Sequence, residues 1–244
     1  MVAPPRRGPP ARSSADLHIH TSYSDGLPTP RQVLAHVRAM GDLQVIAITD
    51  HDTIAGAARA AILAPDFGVT VIVGEEVSSI DGHILGLFLQ ECVPPNLSAE
   101  ATIQAIHAQG GLVVAPHPYY RPLRPYGPPG RPAMESVGAL SATLPFDAVE
   151  IVNGTPFLAP ANQRAQCHNR GAARRTAVGS SDAHILAAIG KGYTRFPGRT
   201  AEDLRRAIVL GRTVAWSRPY SAGDLAVYAR FWLAISLERG GPAW

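Results

Sequence analysis

The chain has 244 residues, of which 46% are hydrophobic, and its formal net charge at pH 7 is +3. This length and composition allow one large domain with a buried core, and the small charge excludes the extended basic surface of a typical nucleic-acid-binding module. Two cysteines, Cys92 and Cys167, are too few for a disulfide framework, so we expect reduced thiols and a cytoplasmic protein.

The two ends of the chain differ in composition from its middle. Residues 1–14 are rich in proline and arginine and contain no apolar run that could be a signal-peptide core, so we expect a disordered leader. We expect one domain over residues 15–220 and a C-terminal helical extension over residues 221–244. The most apolar late segment, residues 225–237, is interrupted by Arg230 and is too short to cross a bilayer, so no membrane partner is expected.

Short apolar segments typical of β-strands alternate along the chain with segments typical of helices. Strands are predicted at residues 17–20, 45–49, 69–74, 84–88, 112–116, 148–152, 176–179 and 213–216. Thr29, Ser98 and Thr200 are of the residue types that cap helix starts, and Gly41 and Gly110 end the first two of these helices. The alternation predicts an α/β fold with a mainly parallel sheet covered by helices, either open or closed into a barrel.

Histidine and carboxylate side chains recur where the predicted strands end. His18 and His20 lie one residue apart in the stretch DLHIHTSYSDG, so their side chains point to the same face. Other strand ends carry Asp50-His51-Asp52, Glu75-Glu76, His117, and Asp182 with His184, whereas His83 stands at the start of its strand. Because the carboxyl ends of parallel strands form the rim where α/β active sites are built, we expect these side chains to meet there.

Each of these groups has an ordinary structural alternative. Asp50 and Asp52 could cap a helix, Glu75 and Glu76 could lie in a solvated turn, and His117 could begin a loop. Chance placement at so many strand ends at once is a weak explanation. The remaining histidines, His36, His107 and His168, lie within helix patterns and are interpreted as surface or packing residues.

Histidine nitrogens and carboxylate oxygens in one cluster suit Zn, Mn or Fe, and a thiolate site is not indicated. The candidate ligands are more than one metal ion can take, and Glu76 near the centre could bridge two ions. Clustered divalent ions lower the pKa of bound water and neutralise charge that builds up on a phosphoryl group. The pattern therefore indicates a metal-dependent hydrolase.

The motifs together resemble a known family. DLHIHTSYSDG, ITDHDT, GEEVSS with GHILG, PHP and GSSDAH are similar, in this order, to the PHP (polymerase and histidinol phosphatase) phosphoesterase domain over roughly residues 16–184. The following IGKGYTRFPGRTAEDLRRAI resembles the C-terminal segment of stand-alone members. The resemblance implies a single-domain, distorted seven-stranded (β/α) TIM-like barrel with three divalent transition-metal ions at the carboxyl rim.

The resemblance also implies a set of ligands for each ion. The first ion would be held by His18, His20, Glu76 and Asp182; the second by Glu76, His83 and His117; and the third by Asp25, His51 and His184. Asp50 and Asp52, which flank His51, would orient it from outside the ligand set. Every ligand position of the family has a competent residue here, which argues against a degenerate domain.

The expected function is hydrolysis of a small phosphomonoester or nucleotide through metal-activated water. A nuclease that acts on RNA or DNA ends, or on a short oligonucleotide, and a metal-binding regulatory module without turnover remain alternatives. The short segment between His83 and His117 lacks the inserted cap of some nucleotide-cleaving relatives, so the substrate class stays open.

The candidate substrate-binding residues lie near the predicted rim. Arg121 and Arg124 belong to the proline-rich segment 118–132, which is too long and irregular to be an ordinary connection. Their guanidinium groups could hold phosphate oxygens, and the tyrosines of the segment could stack on a ring. Asn153 ends the strand AVEIVN, and Lys191 follows the Asp182 and His184 pair.

Overall fold

The structure, a computed structural model, describes residues 12–120 and 136–238. Strands in this part of the chain are β1 (Arg12–Asp16), β2 (Val45–Ile48), β3 (Thr70–Ser79), β4 (Gly82–Leu87), β5 (Leu112–Ala115), β6 (Ala148–Asn153), β7 (Thr176–Ser180), β8 (Gly192–Pro197) and β9 (Val214–Ser217). The α-helices are α1 (Pro30–Met40), α2 (Ala55–Phe67), α3 (Ala99–Ala108), α4 (Leu140–Thr143), α5 (Ala159–His168), α6 (Ala201–Val209) and α7 (Ala222–Glu238). A π-helical turn at Asn169–Ala173 and a 3₁₀ turn at Leu186–Ala188 complete the elements.

The helix starts predicted from the sequence are confirmed by their capping bonds. The Thr29 hydroxyl oxygen accepts a hydrogen bond from the backbone N–H of Gln32, and the side-chain oxygen of Gln32 accepts one from the backbone N–H of Thr29. Thr200 forms the same reciprocal pair with Asp203. These bonds satisfy N–H groups that would otherwise lack partners in the first turn of each helix. Gly41 ends α1 at φ 71°, a conformation that costs glycine little.

The nine strands form one sheet in the order β7-β6-β5-β4-β3-β2-β1-β8-β9. Strands β1, β2 and β3 are mutually parallel, as are β5, β6 and β7, whereas β4 runs antiparallel to both of its neighbours. Strand β8 pairs antiparallel with β1, and β9 pairs antiparallel with β8. The sheet thus departs from uniform βα alternation at two places, β4 and the β8–β9 pair.

Side-chain hydrogen bonds bring the two ends of the sheet together. The hydroxyl of Thr194 in β8 accepts the N–H of Gly179 in β7 at 2.9 Å and donates to its carbonyl at 2.7 Å. The hydroxyl of Thr213, just before β9, donates to the carbonyl of Ala177 at 2.6 Å. The expected distorted barrel is therefore confirmed, and it is nearly closed. The described residues form nine strands, whereas the family resemblance implied seven, because β8 and β9 fill the gap between β1 and β7.

An apolar cluster fills the barrel interior. It includes Leu17, Leu85 and Phe196, all fully buried, and it extends to Leu204 and Ile208 of α6. The hydroxyl of Thr176, the first residue of β7, donates to the carbonyl of Ile208 at 2.8 Å, so α6 lies at the amino ends of the parallel strands. Each fully buried Leu or Phe contributes roughly 1.5–3 kcal/mol, and the opposite rim is left for polar side chains.

Two predicted boundaries are wrong. Strand β1 begins at Arg12 and pairs with β8 from Arg12 to Ala15, so residues 12–14 do not belong to a leader as predicted; residues 1–11 lie outside the described residues. The predicted strand 17–20 is extended chain beyond β1, where Ile19 forms a single bridge with Ala183. The apolar residues of this segment resemble a strand in sequence, whereas the pairing of β1 with β8, which lies far away along the chain, is not visible there.

The C-terminal extension predicted over residues 221–244 contains α7, Ala222–Glu238, and residues 239–244 lie outside the described residues. Across residues 12–120 and 136–238, none of the helices combines the length and the apolar character that crossing a membrane would need.

Candidate metal centre

All nine predicted metal ligands converge at the rim opposite α6. Their nitrogen and oxygen atoms form four overlapping groups, and within each group the atoms lie within 4.8 Å of one another. The groups are His20 with Asp25, His51 and His184; His18 with Glu76 and His117; His18 with His20 and Asp182; and His51 with Glu76 and His83.

Backbone pairing beyond the strand ends sets this arrangement. The bridge between Ile19 and Ala183, with the N–H of His20 donating to the Ala183 carbonyl at 2.9 Å, holds the two-histidine segment beside Asp182. A second bridge joins His51 to Glu76, because the N–H of Glu76 donates to Asp50 and that of Asp52 donates to Glu76. The side chains therefore meet because their strands are neighbours in the sheet.

The unusual position of His83 at the start of its strand follows from the direction of β4. Strand β4 runs antiparallel to β3, with His83 opposite Ser78, so its amino end lies at the same rim as the carboxyl ends of the parallel strands. The Nδ1 atom of His83 lies 3.1 Å from Glu76 Oε1. A strand start thus supplies a side chain to a site that is otherwise built from strand ends.

Glu76 is the centre of the cluster. Its carboxylate is 1% exposed, and its two oxygens face different histidines. Oxygen Oε2 lies 3.0 Å from His18 Nε2 and 3.2 Å from His20 Nε2, whereas Oε1 lies 3.1 Å from both His83 Nδ1 and His117 Nε2. Burial by itself raises the pKa of Glu76, but the charges of the surrounding imidazoles outweigh it and hold this pKa well below its ordinary value.

Two further carboxylates flank the centre. Asp182 Oδ1 lies 3.5 Å from His18 Nε2 and 3.4 Å from His20 Nε2. Asp25 Oδ1 lies 3.2 Å from His184 Nε2. For both carboxyl groups burial opposes ionisation, yet the neighbouring histidines lower the pKa below its ordinary value, so both are anionic at neutral pH.

The pKa values of the histidines in this cluster are shifted in opposite directions. Burial lowers the pKa of His20, but Asp182 and Glu76 raise it to about 10. The pKa of His51 is lowered to about 3 by burial, to which the charges of His20 and His83 add. Nδ1 of His20 and of His117 are buried and have no hydrogen-bond partner among the described residues. A cluster of ionised carboxylates with unpartnered ring nitrogens is the donor set that divalent transition metals require, so the residues fit such ions.

The sequence interpretation missed Glu150, which lies in β6 and is fully buried. It accepts hydrogen bonds from the backbone N–H of His117 at 2.7 Å, from the Asn153 amide at 2.8 Å and from the Ser180 hydroxyl. Its Oε1 atom also lies 3.4 Å from His18 Nδ1. Glu150 therefore positions two of the candidate ligands; its sequence signal was a lone carboxylate inside the apolar strand AVEIVN.

The residues predicted to support or recognise ligands have different partners from those expected. The carboxylate of Asp50 accepts bonds from Thr21 and from the Ser24 hydroxyl, and that of Asp52 accepts the backbone N–H of Ser78 at 2.7 Å. These two aspartates hold neighbouring segments of the rim; the bonds described for their carboxylates do not go to the His51 ring that they were predicted to orient.

Two predicted substrate-binding residues also interact with other side chains of the protein. Asn153 is 2% exposed and donates to Glu150 at 2.8 Å and to Asp182 at 3.2 Å, so its amide orients carboxylates instead of facing a phosphate. The ammonium of Lys191 pairs with Asp224 of α7 at 2.6 Å, which turns it away from the cluster. Arg121 and Arg124 lie outside the described residues.

The three histidines interpreted as surface or packing residues, His36, His107 and His168, lie outside the four ligand groups of the described residues. His107 pairs with Asp147 at 2.9 Å, and the ring of His168 lies 5.4 Å from that of Tyr119.

The cluster opens into a cleft of about 320 Å³. Around the metal-ligand residues, the cleft is lined by Ser78, Tyr120, Thr155 and Leu158, and by Tyr228, Phe231 and Trp232 of α7. Its volume is at the lower end of the range for small-molecule sites.

Comparisons with known proteins agree with this architecture. Residues 16–124 match the model of the PHP domain and residues 161–213 match that of the PHP-associated C-terminal region. An uncharacterized protein of Methanocaldococcus jannaschii is 40% identical over 150 residues, which cover 57% of this chain and 81% of that protein. A phosphoribosyl 1,2-cyclic phosphate 1,2-diphosphodiesterase of Eggerthella lenta is 42% identical over 85 residues, which cover 32% of each chain.

The fold has a solved counterpart in a two-domain protein of Bacteroides vulgatus that contains a predicted PHP-like metal-dependent phosphoesterase. The TM-score is 0.63 at 20% identity, over 88% of this chain and 70% of the other. A nearly closed α/β barrel with a histidine and carboxylate cluster at its rim, together with these matches, defines a metal-dependent hydrolase of phosphate esters. The chain belongs to the PHP family.

Proposed function

We propose that this protein hydrolyses a small phosphomonoester or a nucleotide, using water activated by three divalent ions of Mn, Zn or Fe. The observation that carries the proposal is the overlap of four ligand groups that share His18, His20, His51 and Glu76. One ion takes about four to six ligands, so nine converging side chains are more than a single ion uses.

The proposed division of ligands is the one that the resemblance to the PHP family implies. His18, His20, Glu76 and Asp182 would hold the first ion; His83, His117 and Glu76 the second; and Asp25, His51 and His184 the third. Glu76 supports this assignment because Oε2 faces the His18 and His20 nitrogens while Oε1 faces those of His83 and His117. A carboxylate whose two oxygens face separate histidine pairs is suited to bridging two ions.

When bound, such ions lower the pKa of water to produce hydroxide and neutralise charge on a phosphoryl group. The residues of the chain prepare the site for this. A hydrogen bond from His18 Nδ1 to Glu150 would leave Nε2, which lies among Glu76, His20 and Asp182, free to act as a ligand. The Glu76 carboxylate is only 1% exposed, and this exclusion of bulk water strengthens its attraction for cations.

The cleft favours a small substrate over a long nucleic acid. At about 320 Å³ it is large enough for a phosphate with a leaving group of nucleoside size or smaller. Among the described residues that line it, polar groups other than the candidate ligands come from Ser78, Tyr120, Thr155, Tyr228 and Trp232, and none is an arginine or lysine. The Eggerthella lenta relative, a phosphoribosyl 1,2-cyclic phosphate 1,2-diphosphodiesterase, is also named for a small phosphorylated substrate.

The test is reconstitution followed by a substrate screen. Metal-free protein is loaded separately with Mn, Zn and Fe, its ions are counted by elemental analysis, and phosphate release is measured from nucleotides, sugar phosphates, histidinol phosphate and short RNA. We expect more than one ion per chain and release from small monoesters. At most one ion per chain would contradict the three-ion site, and cleavage of RNA alone would favour the nuclease alternative.

Glu76→Gln provides the matched variant, because an amide is a poor bridge between two cations. We expect it to lose at least one ion and most activity. Glu75→Gln is the control: Glu75 is adjacent and equally buried, but its carboxylate accepts the N–H of Val93 at 2.8 Å and lies 2.9 Å from Cys92 Sγ. Equal behaviour of the two variants would show that the bridge is assigned wrongly.

A further inference from the structure

Helix α7 adds an aromatic surface to the metal cleft. Tyr228, Phe231 and Trp232 occupy positions i, i+3 and i+4, which lie on one face of a helix, and all three line the cleft. We call these three residues the aromatic wall. The helix lies outside both segments that match the family models, residues 16–124 and 161–213, so the metal cluster is built without it.

The aromatic wall is fixed against the barrel beside the cluster. The Lys191 ammonium pairs with Asp224 in the first turn of α7 at 2.6 Å, and Asp224 also accepts the backbone N–H of Ser221 at 2.9 Å. Further along the helix, the Phe231 ring lies 6.2 Å from the ring of His184, a candidate metal ligand. A group bound at the cluster is therefore adjacent to the wall.

The rings of the wall also hold one another in place. The Tyr228 side chain is hydrogen bonded with Thr155 and with Trp232, and burial raises its pKa to about 12, so the phenol keeps its proton. The Trp232 ring lies 6.1 Å from Phe231 and 6.3 Å from Tyr228. Tyr228 and Phe231 are 7% and 6% exposed, whereas Trp232, which also lines the cleft, is only partly buried. Rings held in this way lose little conformational entropy when a ligand binds.

We propose that the aromatic wall binds the leaving group of the substrate, and that this group carries a planar aromatic ring such as the base of a nucleoside 5′-phosphate. The inference rests on the proposed function, since it names the substrate class of the same site. The cleft joins a cation-binding cluster to a wall of fixed rings, and the described residues that line it include no arginine or lysine. A substrate that matches both parts has an anionic phosphate at one end and a flat, weakly polar ring at the other, where stacking is favourable for any base.

The test compares phosphate esters with and without an aromatic ring in the leaving group. Adenosine 5′-monophosphate, p-nitrophenyl phosphate and ribose 5-phosphate are assayed with the metal-loaded full chain, its Trp232→Leu variant, and the control Leu233→Ala, whose side chain is 59% exposed on the same helix. We expect Trp232→Leu to lower kcat/KM about tenfold for the two aromatic esters, the loss of roughly one stacking contact, and to leave ribose 5-phosphate and metal content unchanged. Preference for adenosine monophosphate over p-nitrophenyl phosphate would identify the base as the ring.

Equal losses for ribose 5-phosphate, or no loss for any ester, would overturn the proposal. Binding measured by calorimetry keeps the two proposals separate. If the metal-loaded protein hydrolyses none of the esters, the proposed function fails. The aromatic wall is still supported if the protein binds adenosine monophosphate more tightly than ribose 5-phosphate and Trp232→Leu abolishes this difference. Equal affinities for the two compounds, or no binding of either, would overturn the wall as a recognition surface.

Discussion

Replacement of Glu150 by Gln tests whether a buried carboxylate outside the ligand set controls metal binding. The two side chains have nearly the same shape, so the change removes charge and one acceptor without leaving a cavity. In the wild type one oxygen accepts from the His117 N–H and the Asn153 amide, and the other faces His18 Nδ1 and the Ser180 hydroxyl. A glutamine must turn its NH₂ group towards one of these two sets.

Either orientation of the amide is unfavourable. If the NH₂ group faces Asn153, two donors meet and the bond to the His117 backbone is lost. If it faces His18, Nδ1 must accept, which places the ring proton on Nε2, the nitrogen that lies 3.0 Å from Glu76 Oε2. Loss of one bond to a charged acceptor costs about 1.5–3 kcal/mol, and changes of this kind lower metal affinity roughly 10- to 100-fold.

The assay is calorimetric titration of chelator-treated protein with Mn or Zn, accompanied by thermal unfolding of the metal-free protein. We expect Glu150→Gln to weaken binding while Glu75→Gln, the equally buried control in β3, binds metal as the wild type does. Wild-type affinity in Glu150→Gln would refute the argument from the His18 tautomer. Equal weakening in both variants would show that loss of a buried charge acts through general stability.

Three further outcomes follow from the same contacts. The pKa of His20 is raised to about 10, so this ring is protonated in the metal-free protein at pH 7 and must lose a proton to bind metal; metal affinity should therefore rise with pH. Calorimetry in buffers of different ionisation enthalpy should detect the proton release, and a metal affinity independent of pH would contradict this. Asn153→Ala should weaken metal binding several-fold without raising KM, because its amide donates to Asp182; a raised KM with full metal content would restore the predicted phosphate contact. Lys191→Met should lower the free energy of unfolding by up to about 1 kcal/mol and raise KM for aromatic esters, because the pair with Asp224 that holds α7 is lost. An unchanged KM would argue against this role of Lys191.

The sequence was sufficient to predict the candidate ligands because their signal is local. Eight of the nine lie in or next to an apolar segment, where a polar residue is conspicuous whatever the rest of the fold does. Asp25 lies in the polar stretch TSYSDG, and only the family resemblance indicated it as a ligand. The convergence of His18 and His20 with Asp182 could also be expected, since strand ends of a parallel sheet meet at one rim. His83 was harder to place from the pattern alone, because only the reversed direction of β4 brings a strand start to that rim.

The partners of long or buried polar side chains were not predictable in the same way. Lys191 follows the Asp182 and His184 pair in sequence, but its ammonium is neutralised by Asp224, which lies 33 residues away along the chain. Glu150 escaped notice because a single carboxylate in a strand is equally compatible with a solvated edge. In both cases the role of the side chain depends on its nearest hydrogen-bonding or charged partners. For Lys191 the partner is Asp224 of α7, and for Glu150 the partners include the His117 N–H, the Asn153 amide and the Ser180 hydroxyl.

The reversal of β4 also determines how the proposed ion sites depend on the rest of the fold. Glu76 and His83 are joined by a hairpin whose turn lies between Ser79 and Gly82, so their approach is fixed by local chain geometry. His18 and Asp182, by contrast, come together only when the sheet closes and Ile19 pairs with Ala183. The second proposed ion therefore draws two of its ligands from a local hairpin, whereas the first and third need β1 and β7 to be held at the correct separation. Strands β8 and β9 and the Thr194 bonds to Gly179 supply that closure, which gives these elements, although they carry none of the nine predicted ligands, a direct role in forming the site.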